Sequence, residues 1–118
     1  MSQILVIDDE IAISAYLSRL ITKFGYTCET AASAAEARAK LATPHQLVIA
    51  DIRLPDNPDA DAWIAELARI AKPAPVILIS GMPTEELVAT AKANGIDTFL
   101  TKPFELVFIK KLLKERLG

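Results

Sequence analysis

Residues 3–10 read Gln3-Ile4-Leu5-Val6-Ile7-Asp8-Asp9-Glu10, an unbroken branched apolar run that stops at three carboxylates. A strand with one wet face alternates polar and apolar side chains. A run without alternation predicts a strand covered on both faces, as in a parallel sheet between helical layers. Ile13, Leu17, Leu20, Ile21 and Phe24 then recur at helical spacing, and Gly25 follows as a stop. Strand leads into helix.

The same unit repeats along the chain. Tyr26 to Ala31 can form a second strand, and Ser33 with Glu36 makes a capping box that opens a helix through Leu41. After Pro44, Leu47-Val48-Ile49-Ala50 reads as a third buried strand ending at Asp51. A Pro- and Asp-rich loop, Leu54 to Asp59, follows it, and Trp63, Ile64, Leu67 and Ile70 carry the next helix. Pro75 to Ile79 is a fourth strand ending at Ser80, and Thr84 to Asn94 a helix closed by Gly95. Thr98 to Thr101 is a fifth strand ending at Lys102, and Glu105 to Leu117 the last helix. Five β-α units in alternation predict a three-layer α/β/α fold, with a five-stranded parallel sheet and right-handed crossovers. No linker or repeat interrupts residues 1–118, which suit one domain.

Composition narrows the function. The chain is 52% hydrophobic and 24% charged, with no run near the roughly 20 apolar residues of a membrane span. Membrane insertion is not expected. A net charge of -2 offers nucleic acid no general attraction, so direct DNA binding is not expected of this domain. The single cysteine, Cys28, cannot form an internal disulfide, and Met1-Ser2-Gln3 does not begin like a signal peptide. A reducing cytoplasm is the expected setting.

In open parallel sheets the site lies beyond the carboxyl ends of the strands, where strand order reverses. Asp8 and Asp9 end the first strand, Asp51 the third, Ser80 the fourth and Lys102 the fifth. Clustered carboxylates repel one another by several kcal/mol at intermediate dielectric, so they call for a counter-charge. Oxygen-only ligands point to a hard cation. Mg²⁺ suits them best, because it binds through one or two carboxylates and keeps positions open for phosphate oxygens. Lys102 supplies a second positive charge.

Together, Asp8-Asp9-Glu10, Asp51 with Leu54-Pro55, Ser80-Gly81 and Lys102-Pro103-Phe104 resemble the signature of response regulator receiver domains over essentially the whole chain. The resemblance implies a flavodoxin-like sheet of order 2-1-3-4-5, an order that a chemotaxis member of this family exemplifies. It further implies that Asp51 is the phosphoacceptor in a two-component system. Asp9, Asp51 and the backbone carbonyl of Arg53 would be direct Mg²⁺ ligands, with Asp8 holding the metal through water. The phosphoryl donor would be a phosphohistidine on a sensor histidine kinase or phosphotransfer protein. Such a domain is a signalling phosphoacceptor that catalyses only its own phosphorylation and dephosphorylation. Ser80 and Phe99 fall at the switch positions, and Arg53 and Met82 at positions that tune phosphoryl lifetime. The expected output face is made by the fourth helix, fifth strand and fifth helix. There Val107, Phe108 and Leu112 lie off the buried stripe of Leu106, Ile109, Leu113 and Leu117, within a rim of Lys110, Lys111, Lys114 and Arg116. A homodimer or an effector would dock there.

The loop Asp56-Asn57-Pro58-Asp59 is one residue longer than is usual in the family, and Ala60 replaces a common glycine. A rearranged turn or modest strain is expected there. Blander readings stand beside these. Asp9 alone could be a helix N-cap, Ser80 a turn closer and Lys102-Pro103 a loop. His45 reads as a solvated loop residue, Cys28 as a small apolar strand residue and Trp63 as core. A haloacid dehalogenase-type phosphohydrolase needs a second Asp two positions after its nucleophile, where Glu10 stands after Asp8. A P-loop needs a glycine-rich phosphate loop, and the chain has only four glycines. A receiver-like module that binds without phosphorylation would not need all five of Asp8, Asp9, Asp51, Ser80 and Lys102.

Overall fold

The computed structural model describes residues 3–102 and 106–117, the Leu106 side chain excepted. Its elements alternate as β1 (Gln3–Ile7), α1 (Ile11–Lys23), β2 (Thr27–Ala31), α2 (Ala34–Lys40), β3 (Leu47–Asp51), α3 (Ala60–Ile70), β4 (Val76–Ser80), α4 (Glu85–Ala93), β5 (Thr98–Thr101) and α5 (Leu106–Leu117). All strand pairs are parallel, in the order β2-β1-β3-β4-β5. Pro103, Phe104 and Glu105, expected to complete the lysine motif and start the last helix, lie outside the described residues.

Alternation along the strands sorts the core into two. Leu5, Ile7, Val48, Ala50, Val76 and Leu78 face Trp63, Ile64 and Leu67 of α3, with α2 and α4 beside them. Ile4, Val6, Leu47, Ile49, Ile77 and Ile79 face Leu17 and Ile21 of α1 and Ile109, Leu112 and Leu113 of α5. The unbroken apolar runs are therefore explained by helices on both faces. Each fully buried Leu or Ile contributes about 1.5–3 kcal/mol of transfer free energy, so a one-residue slip of any inner strand is costly.

Local chemistry sets the helix starts. Ser33, Asp59 and Thr84 cap α2, α3 and α4, accepting from the N–H groups of Glu36, Ala62 and Leu87. The long loop after β3 is tied down twice. Leu54 and Asn57 form a small bridge, and the Asp56 carboxylate accepts from the Ala34 and Ala35 N–H groups at 2.8 and 3.0 Å. These bonds, that from Ala34 first, hold the Asp56 carboxyl below the usual carboxylate range. Ala60 carries no strain, because no described residue other than glycine has a positive φ. Asp59 is the cap of α3 and Ala60 its first helical residue.

Three expectations about the periphery fail. The His45 side chain is completely buried, with Nδ1 2.9 Å from the Thr43 carbonyl and Nε2 2.8 Å from Glu29 Oε1. A polar loop position became internal because β2 brings an acceptor to the ring. Leu112 is also buried, in the α1/α5 core, because the apolar stripe of α5 is wider than Ile109 and Leu113 alone. The expected basic rim is divided as well. Lys110 lies over the Phe24 ring on the α1 side, and Arg116 pairs with Asp97 at 3.1 Å.

Candidate acidic site at the carboxyl edge of the sheet

The register builds the site. Ile7 pairs with Ala50, so Asp8 and Asp51 leave neighbouring strands side by side. Ser80 pairs with Thr101, which puts Lys102 just beyond Ser80, and the Lys102 N–H donates to the Ser80 carbonyl at 2.8 Å. Asp8, Asp9 and Asp51 each present an oxygen within 4.8 Å of the others. Lys102 Nζ lies 3.1 Å from Asp8 Oδ2, 3.2 Å from Asp51 Oδ2 and 2.8 Å from Glu10 Oε1. Asp8 and Asp51 are buried, and Asp9 is exposed.

The electrostatics follow from that burial. Desolvation pushes the Asp8 carboxyl up from 3.8 to about 6; the Glu10 N–H opposes the rise, the Asp51 charge adds to it, and Lys102 opposes it again. Burial also works against the Lys102 charge, but its bonds to Glu10 and Asp8 and the Asp51 charge more than offset this, so its ammonium is held above the ordinary lysine range. Asp8 Oδ1 accepts from the Glu10 N–H at 2.9 Å, whereas buried Oδ2 has only the close Lys102 charge and no well-directed hydrogen bond. Three converging carboxylates, one with an unsatisfied buried oxygen, fit a small hard cation.

The remaining predicted residues fall around this cluster. The Arg53 N–H donates to Asp51 Oδ1 at 3.2 Å, which places the Arg53 backbone at the site while its side chain is exposed. Ser80 is buried, and its Oγ accepts from the Met82 N–H at 3.1 Å; Met82 itself is 76% exposed. Phe99 is half-buried against the α2/α3/α4 core, the face Ser80 shares by alternation with Leu78. Val107 and Phe108 are 73% and 50% exposed on α5, away from the cluster. Asp9 does not cap α1; Glu10 is the cap residue, and without a side-chain bond.

Two site residues escaped the sequence reading. Glu10 makes the shortest contact to Lys102, and the third carboxylate of the opening motif was its signal. Trp63, read as packing alone, donates its indole N–H to the Asp51 main-chain carbonyl at 3.2 Å. The general need of a buried indole for an acceptor was the available hint.

A parallel sheet in this order, with carboxylates, a hydroxyl and a lysine gathered at its carboxyl edge, has the architecture of a receiver-type signalling module. The chain belongs to the response regulator receiver domain family, whose model matches residues 4–114. It is 33% identical over 106 residues to the transcriptional regulatory protein KdpE of Staphylococcus aureus, covering 89% of this chain but 45% of that protein. The chain thus spans about half the length of that relative. Among solved structures it is similar to a CheY-like receiver domain protein from Methanospirillum hungatei, with a TM-score of 0.91 at 25% identity over 99% of this chain and 94% of that one. It is also similar to the beryllofluoride-activated NtrC4 receiver domain dimer, with a TM-score of 0.82 at 28% identity over 100% of both chains. The chain is accordingly a receiver, a signalling domain of two-component systems. Among the described residues no helix is long and apolar enough to cross a membrane.

Proposed function

We propose that the chain accepts a phosphoryl group on Asp51 from a phosphohistidine of a sensor kinase or phosphotransfer protein, and that this modification switches its affinity for an output partner. One observation carries the reading. The Asp51 carboxylate is at once within 4.8 Å of the Asp8 and Asp9 oxygens and 3.2 Å from the Lys102 ammonium.

Attack by an Asp51 carboxylate oxygen forms the new O–P bond as the N–P bond of the donor breaks, and the electron pair leaves with the imidazole. Positioning and charge stabilisation do most of the catalysis. The Arg53 N–H on Oδ1 and Lys102 near Oδ2 fix the carboxylate plane. Lys102 is then placed to neutralise an equatorial phosphoryl oxygen. Mg²⁺, held by Asp9, Asp51 and the Arg53 carbonyl with Asp8 acting through water, would supply further neutralisation of the phosphoryl oxygens. Ser80 could donate its hydroxyl to a phosphoryl oxygen, and Phe99 on the same face would turn inward in response. Exposed Val107 and Phe108 would form part of the output surface for an effector or a second copy. That proposal draws support from the dimeric state named for the NtrC4 receiver.

Incubation with acetyl phosphate and Mg²⁺ should add one phosphoryl group by intact mass, labile to hydroxylamine and absent after chelation. Asp51→Asn should take none. An acyl phosphate retained in Asp51→Asn would exclude Asp51 as the acceptor.

A further inference from the structure

Trp63 is fully buried in α3, twelve residues beyond Asp51, and its Nε1–H donates to the main-chain oxygen of Asp51 at 3.2 Å. Asp51 is the last residue of β3. Its carbonyl therefore stands where the strand gives way to the loop, and Trp63 supplies a donor there. The contacts of Asp51 are divided between its two ends: the Arg53 N–H and Lys102 hold the carboxylate, and Trp63 holds the backbone that carries it.

The ring is itself immobilised. Its inner side lies in the α2/α3/α4 core, and the Arg38 guanidinium of α2 sits 5.7 Å from its centroid. Arg38 is fixed in turn by a two-point pair with Glu66 of α3, at 2.6 and 2.8 Å. Phenylalanine or leucine would fill much of the same space, but neither could donate. The indole nitrogen is the feature that packing alone does not require.

We infer that Trp63 is a positioning residue for phosphoryl transfer, its indole N–H holding the Asp51 main chain where the carboxylate lies in line with the donor. The inference rests on the reading of Asp51 as the acceptor. In-line displacement is sensitive to misplacement of the nucleophile by fractions of an ångström. A carbonyl freed of its donor lets the end of β3 shift or rotate, and part of the productive geometry is lost. Trp63 would not touch the phosphoryl group; it acts through the backbone.

The test replaces Trp63 with 3-benzothienylalanine, which keeps the bicyclic shape but has sulfur in place of N–H, and separately makes Trp63→Phe. Phosphorylation by acetyl phosphate at saturating Mg²⁺ is followed well below the melting temperature of each protein. Both variants should react about three- to tenfold more slowly than the parent, the range expected for one hydrogen bond of ordinary net strength. In the parent, whose chain has one tryptophan, the single indole N–H resonance should also move on addition of beryllofluoride and Mg²⁺. A purely structural role would lower the melting temperature, leave the rate within twofold of the parent and leave that resonance in place, and this result overturns the inference. A parent that takes no phosphate on Asp51 would overturn the acceptor reading itself, and a reactive parent separates the two failures.

Discussion

Replacing Asp8 with asparagine should make the metal-free protein more stable at neutral pH, although it removes a partner of Lys102. The Asp8 side chain is wholly buried, and desolvation, aided by the Asp51 charge against the pull of Glu10 and Lys102, pushes it up from 3.8 to about 6. Between those two values the folded protein keeps a proton that the unfolded chain has released. The stability this provides is complete below about pH 4 and is lost as pH rises through about 6. A rise of about two units corresponds to roughly 3 kcal/mol of strain from the ionised group at pH 8. Asparagine escapes that cost and keeps an oxygen for the Glu10 N–H. Lys102 loses one close carboxylate but retains Asp51 and Glu10. The net gain should be about 1–2 kcal/mol, or about 4–8 °C in melting temperature for a domain of this size. Thermal melts in EDTA at pH 5 and pH 8 test this. The parent should lose stability relative to Asp8→Asn on going from pH 5 to pH 8. Adding Mg²⁺ at pH 8 should stabilise the parent by mass action and the variant much less. If Asp8→Asn melts below the parent at pH 8 in EDTA, the carboxylate is a net stabiliser and the account of a desolvated, strained Asp8 is wrong.

Ser80→Ala should still take up phosphate on Asp51 but should not move Phe99; an unchanged phosphorylation-dependent shift of the Phe99 ring resonances would show that Ser80 does not couple the two. Arg53→Asn with Met82→Glu, which places groups able to orient water beside the acceptor, should speed loss of the aspartyl phosphate by severalfold, and an equal or slower decay would count against a lifetime-tuning role for these two positions. Phe108→Ser should leave phosphorylation intact and weaken phosphorylation-dependent self-association or partner capture at least tenfold, with a melting temperature within a few degrees of the parent because the ring is half-exposed. Sedimentation equilibrium of the activated proteins decides this, and identical association would move the output surface elsewhere.

The alternation of buried strands and amphipathic helices was legible in the sequence, because a strand covered on both faces has no polar alternation and helical period 3.6 cannot be mistaken for it over the roughly three turns of the longer helices. That pattern also placed Asp8, Asp9, Asp51, Ser80 and Lys102 at strand ends, and the common ending of the parallel strands implies that they meet. Tertiary structure alone decided what each of them touches. Glu10 rather than Asp9 approaches Lys102 most closely, since the lysine's reach depends on how β5 sits against β4. His45 is internal because β2 and the α2–β3 loop close over it, a contact spanning sixteen residues that local polarity does not encode. Leu112 is buried because α1 and α5 share one side of the sheet, which widens the apolar stripe beyond what the α5 sequence indicates. Trp63 was correctly legible as core from its helical spacing. The direction of its indole N–H was not, because a hydrogen bond from α3 to the end of β3 is set by the packing angle of helix on sheet and leaves no periodic trace in the chain.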